Sequence, residues 1–338
     1  MVEIAYHSDL KEVQSDRALA GLLSADCQAA PFDRLEWWQG LADHCGLKPF
    51  VAVARDADAF ALIALSREDH RLAALSNWYT FRFRPILSGD ANLLGALAKA
   101  LAHHASRITL TGVPDEDGSA RCLESAFRSA GWLVRREPCD INHVLPVNAR
   151  PYESYIASRP GKLRTTLKRK SGKVDARVLT HFDPDAWAQY EAIYAQSWKP
   201  EEGSPAFLRR FAEAEGRAGR LRLGVAYPAD APESPAIAAQ MWTVEGGTAF
   251  IHKLAHRESA KPLSPGSVLS AALFRHVIDV DKVNLVDFGT GDDPYKRDWM
   301  EAQRLRYRLD MFRPLAPRNW LVFAQIGLRR LAAAAKRG

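Results

Sequence analysis

Residues 250–297 constrain this chain more than any other stretch. They read as a strand (Phe250-Ile-His-Lys-Leu-Ala255), a loop at Lys261-Pro-Leu263, the run Ser264-Pro-Gly-Ser-Val268, a long amphipathic helix, a strand at Val283–Phe288, and then Gly289-Thr-Gly-Asp-Asp-Pro-Tyr-Lys-Arg297. Ser264, Pro265 and Gly266 fall where the helix begins. Serine suits a cap, proline suits a first turn, and glycine lets a ligand approach the backbone. A helix N-terminus carries unpaired N–H groups and is a ready anion site. One strand later, Tyr295 and Lys296 stand just past a strand end, where open α/β sheets place their reacting groups.

Upstream of this stretch the pattern is regular. Lys173–Leu179 reads as a strand, and Asp183–Trp198 and Pro205–Glu215 as amphipathic helices. Leu221–Tyr227, Ala236–Val244 and Thr248–Ala255 read as strands, the last two joined by Glu245-Gly-Gly247, a strong hairpin signal. The second half therefore has the order β-α-α-β-β-β-α-β-α-β. The first half repeats the theme. Strands at Pro49–Ala54, Ala59–Leu65 and Arg71–Ser76 form a meander, followed by a helix at Leu93–His104, a strand at Arg107–Gly112 and a helix at Gly118–Ala130. Two short strands, Trp132–Arg136 and Asn142–Pro146, close it. Asn77–Arg84 alternates aromatic and basic residues and reads either as an edge strand or as a groove wall.

The run Leu263–Leu269 with Val286-Asp-Phe-Gly-Thr-Gly-Asp-Asp-Pro-Tyr-Lys-Arg-Asp-Trp299 resembles the BioF2-like (CelD/BcsL-type) branch of the GNAT acyltransferases, which is related to the FemAB aminoacyl transferases. The similarity covers residues 151–312 well. It covers the first 150 residues more loosely, through Pro31–Trp38 and Asn77–Tyr79. The resemblance implies an α+β fold of tandem GNAT-like mixed sheets flanked by helices. The expected division is an N-terminal half at 1–148, an acyl-CoA-binding half at 149–316, and a basic amphipathic helix at 317–338.

GNAT enzymes pass an acyl group from CoA directly to an amine. The pyrophosphate must be held, the thioester carbonyl polarised, the ammonium deprotonated and the leaving thiolate protonated. The resemblance implies that Ser264, Pro265, Gly266, Ser267 and Val268 bind acyl-CoA, although Ser-Pro-Gly departs from the usual glycine-rich loop. It implies Tyr295 as the acid that protonates sulfur, and Lys296 as a phosphate or oxyanion partner. Candidates for the base are His252, on the strand before the loop, and Asp287, which could instead orient the Gly289-Thr-Gly turn. His256 follows at the strand end. Gln240 and Trp242 share one face of the hairpin and are candidates to line the acyl or acceptor tunnel.

Composition narrows the partners. The chain has 338 residues, 47% of them hydrophobic, a net charge of +6 and four cysteines, none in a C-x-x-C spacing. This is an ordinary globular balance that fits a reducing cytoplasm and no zinc site. No apolar run reaches 18 residues, and no secretory signal is visible, so the expected location is cytoplasmic, with peripheral contact at the inner membrane. Seven of the fifteen residues 159–173 are basic, with Leu163 and Leu167 on one stripe. No nucleic-acid motif accompanies them, so CoA phosphates, a lipid headgroup or the membrane surface are the anions they suit. Residues 319–337 carry Trp320, Phe323 and Leu331 on one side and basic residues at the end. That pattern suits docking on the protein or on lipid.

The expected activity is acyl-CoA-dependent N-acylation of an amphiphilic amine, most concretely a long-chain sphingoid base, as in ceramide synthesis. The alternatives are acetylation of an exopolysaccharide precursor, FemAB-like aminoacyl transfer, and a non-catalytic CoA- or lipid-binding role.

Overall fold

The computed structural model describes residues 1–69, 71–90, 92–197 and 201–320. In chain order its first elements are β1 (Glu3–His7), α1 (Leu10–Ser15), α2 (Arg17–Leu22), α3 (Leu35–Cys45), β2 (Pro49–Asp56), β3 (Ala59–Glu68), β4 (Arg71–Ala74), β5 (Ile86–Ser88), α4 (Asn92–Ala100), β6 (Arg107–Pro114), α5 (Ser119–Ser129) and β7 (Leu133–Pro146). Next come α6 (Tyr152–Ala157), α7 (Gly161–Lys170), β8 (Val174–Leu179), α8 (Pro184–Ala195), α9 (Pro205–Arg217), β9 (Leu221–Pro228), β10 (Ala238–Glu245) and β11 (Thr248–His256). The last are α10 (Pro265–Arg275), β12 (Leu285–Thr290), α11 (Pro294–Trp299) and β13 (Ala302–Phe312).

Local chemistry sets several of these ends. The Asp183 carboxylate accepts from the Ala186 N–H at 2.8 Å and starts α8, with Pro184 in the first turn. Gly246 and Gly247 both take positive φ, which the tight turn between β10 and β11 demands. Asn77 does not begin a strand. Its side chain accepts from the Tyr79 N–H at 3.0 Å, folding residues 77–80 into a turn. The alternation of buried Tyr79, Phe81 and Phe83 reflects packing, without a ladder. The two short strands expected around 132–146 are one 14-residue strand.

The chain divides into two compact units. The first comprises residues 1–20, 46–140 and 305 onward; the second comprises 21–45 and 141–304. This differs from a single boundary at 148, for two physical reasons. Strand β13 completes the first unit by pairing with β6, from Arg306 opposite Pro114 to Phe312 opposite Arg107. Helix α3 belongs to the second unit because Trp37 packs edge-on against Phe207 and Phe211 of α9. Of the expected C-terminal helix, residues 321–338 lie outside the described residues.

Each unit repeats one plan. In the first, β1, β2, β3 and β4 form an antiparallel meander, and β6 joins β4 in parallel after α4. In the second, β8, β9, β10 and β11 form the meander, and β12 joins β11 in parallel after α10. The fold is α+β, with mixed sheets in tandem and helices against them. Helix α10 lies on the second sheet over a core that includes Trp242, Leu269, Leu273 and Phe274. Its close approach needs Gly224 on β9: a Cβ there would stand 2.8 Å from the Leu273 methyl.

Candidate acyl-transfer site

The site begins where β11 and β12 part. Their parallel pairing covers only Thr248–Phe250 against Leu285–Asp287, yet β11 runs on to His256 and β12 to Thr290. The diverging ends leave a wedge in the sheet, and a cavity of about 580 Å³ sits over it. Leu254 and His256 line it from β11, Phe288 from β12, Ser264–Ser267 and Ser270 from the start of α10, and Tyr295, Asp298 and Trp299 from α11. Leu163 of α7 closes one side, and Glu258 and Lys261 stand in the loop before α10.

The start of α10 is shaped for an anion. Ser264 takes the left-handed conformation (φ 52°, ψ 46°), uncommon for a residue with a Cβ. Its side chain does not cap the helix. Its carbonyl does, accepting from the Ser267 and Val268 N–H groups at 3.1 and 3.2 Å. Gly266 carries no side chain into the cavity; a Cβ there would lie 3.6 Å from the His256 Nδ1. The helix start is tied to the sheet from below by Gln240. Its Nε2 donates to the Gly266 carbonyl at 3.0 Å and to the Ser270 hydroxyl at 2.8 Å, while its Oε1 accepts from the Trp242 indole N–H at 2.9 Å.

Gln240 and Trp242 do share a face, as alternation implies. Both are buried beneath α10, with Trp242 edge-on to Phe274, and neither lines the cavity. They position the loop and leave no side chain to line a tunnel. Val268 is also core. Of the residues expected around CoA, Ser264, Pro265, Gly266 and Ser267 border the cavity.

Tyr295 is where the sequence places it: on α11, ring edge-on to Phe288, 38% exposed and facing the cavity. Burial, with repulsion from Asp293, pushes its pKa well above the ordinary value, so the hydroxyl keeps its proton near neutral pH. Lys296 is turned away. It is 4% exposed, donates from Nζ to the Thr290 carbonyl and lies over the Phe288 ring, so it fastens the 289–291 turn. Asp287 does the same: its Oδ1 accepts from Asn142 at 2.6 Å and from the Gly289 N–H at 2.8 Å. Of its two sequence readings, the geometry matches the turn-orienting one. Asp292 pairs with His143 and Arg297, whereas Asp293 occupies the α11 cap position.

His252 stands on the other side of the sheet. The pairing of β10 with β11 slips between Met241 and Trp242: Met241 faces Lys253, Trp242 faces Ile251, and His252 is the extra residue. This β-bulge turns His252 among Phe32, Trp37, Phe211 and Phe250, with Nε2 at 2.8 Å from the Thr243 hydroxyl. Burial, then the charges of Lys253 and Arg34, lower its pKa to about 3. A buried imidazole so weakly basic, on the wrong face, is not placed to deprotonate an amine in this cavity. His256 is the histidine that reaches it, four residues on and past the bulge. The signal that separates the two is the bulge, which no residue type in the strand announces.

Residues 161–297 match the family model described as an acetyltransferase (GNAT) domain. The chain carries a GNAT acetyltransferase domain. It is an acyltransferase, and the matched segment holds the wedge, the α10 start and Tyr295. No curated protein matches the chain in sequence. Solved structures share its fold. FemX superposes with a TM-score of 0.59 at 10% identity, over 90% of this chain and 96% of that one. L-PGS from Bacillus licheniformis gives 0.54 at 13% identity, over 90% and 97%. A tandem GNAT protein from the clavulanic acid biosynthesis pathway gives 0.51 at 12% identity, over 91% and 98%. These likenesses concern the fold of the acyltransferase, and they extend along most of its length.

Proposed function

We propose that this acyltransferase passes an acyl group from acyl-CoA to an amine, in the second unit, with no covalent enzyme intermediate. The observation that carries the reading is one cavity holding both a helix N-terminus with a side-chain-free Gly266 and a protonated Tyr295. The pyrophosphate sits at Ser264–Ser267, where the Gly266 N–H and the helix dipole favour negative charge. Leu163 of α7 lines the same cavity, and the exposed lysines and arginines of that helix suit the remaining phosphate of CoA. The amine nitrogen attacks the thioester carbon, the C–S bond breaks, and the Tyr295 hydroxyl gives its proton to the departing sulfur. The proton lost by the amine passes to His256 or, through water, to Glu258.

For the acceptor we favour a long-chain amine of the sphingoid-base type. Supporting this are the apolar walls from Leu163, Leu254, Phe288 and Trp299, and a basic helix at the rim. Contact with the inner membrane surface belongs to the same proposal; no helix among the described residues is long and apolar enough to cross a membrane. A second reading, FemAB-like aminoacyl transfer, draws on the fold likeness to FemX. Calorimetric titration with acetyl-CoA and palmitoyl-CoA, the latter below its micelle concentration, separates them. Preference for palmitoyl-CoA supports lipid N-acylation. Equal or acetyl-only binding moves the acceptor to a sugar precursor or small amine. Binding of neither overturns the CoA assignment and leaves aminoacyl transfer or a non-catalytic role.

A further inference from the structure

A second hollow, of about 250 Å³, lies on the sheet of the first unit, and its chemistry differs from that of the acyl site. Strand alternation places Arg71 and Ala73 of β4, Arg107, Thr109 and Thr111 of β6, and Arg308 and Asp310 of β13 on one face. Arg71 and Arg107 are direct neighbours in the parallel register. Like charges side by side on adjacent strands repel. One carboxylate offsets part of this. Asp310 accepts from Arg107 at 3.0 Å, from Arg308 at 2.8 Å and from the Thr109 hydroxyl at 2.7 Å. Glu68 stands opposite Arg71 in the β3–β4 register, and Arg71 makes no ion pair among the described residues. The Arg107 guanidinium carbon lies over the Phe312 ring, 5.1 Å from its centre, and the Arg107 Nε is buried with no hydrogen-bond partner among the described residues. A desolvated guanidinium N–H left unmatched costs free energy that a bound acceptor would recover.

We propose that this hollow binds a phosphate-class oxyanion, gripped by Arg71, Arg107 and Arg308 with the Thr111 hydroxyl at its edge. Asp310 takes the Nε and one Nη of Arg308 and one Nη of Arg107; the Arg71 guanidinium, the Arg107 Nε and the remaining Nη groups are the donors that phosphate oxygens fit. The site is independent of the acyl-transfer reading, since none of its residues lines the second-unit cavity.

The test uses the full chain. Thermal unfolding and calorimetry are run with inorganic phosphate against sodium chloride at equal ionic strength, because a ligand of the folded state raises the melting temperature. Phosphate is expected to raise it specifically, and Arg71→Ala/Arg308→Gln to weaken phosphate binding at least tenfold. Should the double variant fold poorly, Arg71→Ala alone serves, since Arg71 is exposed and makes no ion pair among the described residues; it is expected to weaken binding several-fold. Gly266→Glu guards against phosphate taken up at α10 and is expected to leave the shift intact. A shift equal in chloride, unchanged in the arginine variants, or abolished by Gly266→Glu overturns the proposal. Dihexanoyl phosphatidic acid below its micelle concentration then identifies the source. Tighter binding than inorganic phosphate points to a lipid headgroup, and equal binding to a free phosphate; both sustain the site.

Discussion

Tyr295→Phe removes one oxygen from the cavity rim and leaves the ring contact with Phe288 in place. We expect turnover to fall at least tenfold with acyl-CoA affinity nearly unchanged, since an acid acts in the transition state and not in binding. Steady-state rates with a parallel calorimetric titration check this; an unchanged rate removes Tyr295 from the mechanism. A second residue governs pH behaviour. Glu245 is buried beside Arg34, and burial, opposed by that guanidinium, raises its pKa from the usual range to about 7. The folded chain then holds a proton that the unfolded chain releases near pH 4.5, so this group's contribution to stability falls as pH rises from about 4.5 to 7. Glu245→Gln should raise the melting temperature at pH 8 and narrow the gap between pH 5 and pH 8. A variant less stable at pH 8 would show that the ionised pair with Arg34 is favourable. Residues also mark where sequence legibility ended. Tyr295 and Ser264–Ser267 were readable because a strand, a turn signal and a helix start fix their place along the chain. His252 was not, because one extra residue in β11 reverses its face, and the alternation rule carries no sign of that.

At the scale of elements, α10 and the strand beneath it act together. Gly266→Glu places bulk and negative charge at the helix start, and acyl-CoA binding should be lost in a chain that still unfolds cooperatively. Persistent binding would move the phosphate site away from α10. Gln240→Ala removes the hydrogen bonds to Gly266 and Ser270 and strands the Trp242 N–H. We expect a stability loss of roughly 1–3 kcal/mol by denaturant unfolding, with a raised KM for acyl-CoA and a smaller change in kcat. A lowered kcat at unchanged KM would instead give Gln240 a direct part in the chemistry. Element order was the most legible property of this sequence. The hairpin at Glu245-Gly-Gly247 and the strand–helix–strand after it are set by local turn chemistry and periodicity. Asn77–Arg84 was not legible, because an Asn-led turn and a β-strand can bury the same alternating aromatics.

At the scale of the whole molecule, the division of the chain decides what can be cut. A fragment of residues 149–316 would lack α3, exposing the rings of Phe207 and Phe211, and would carry the whole of β13 without β6. We expect it to show no cooperative thermal transition, whereas the full chain does; a well-folded 149–316 would contradict this division. Sequence reading located two repeated halves, but strand partners far apart in sequence leave no local trace, so it missed the exchange of segments between them.

That exchange bears on how the protein is made. Chains emerge from the ribosome N-terminus first, at about 5–20 residues per second. The first unit begins with residue 1, yet its β6 waits for β13, which appears only after residues 141–304 have followed. Residues 46–140 are thus synthesised before the second unit yet completed after it, with an unpaired strand edge open throughout that interval.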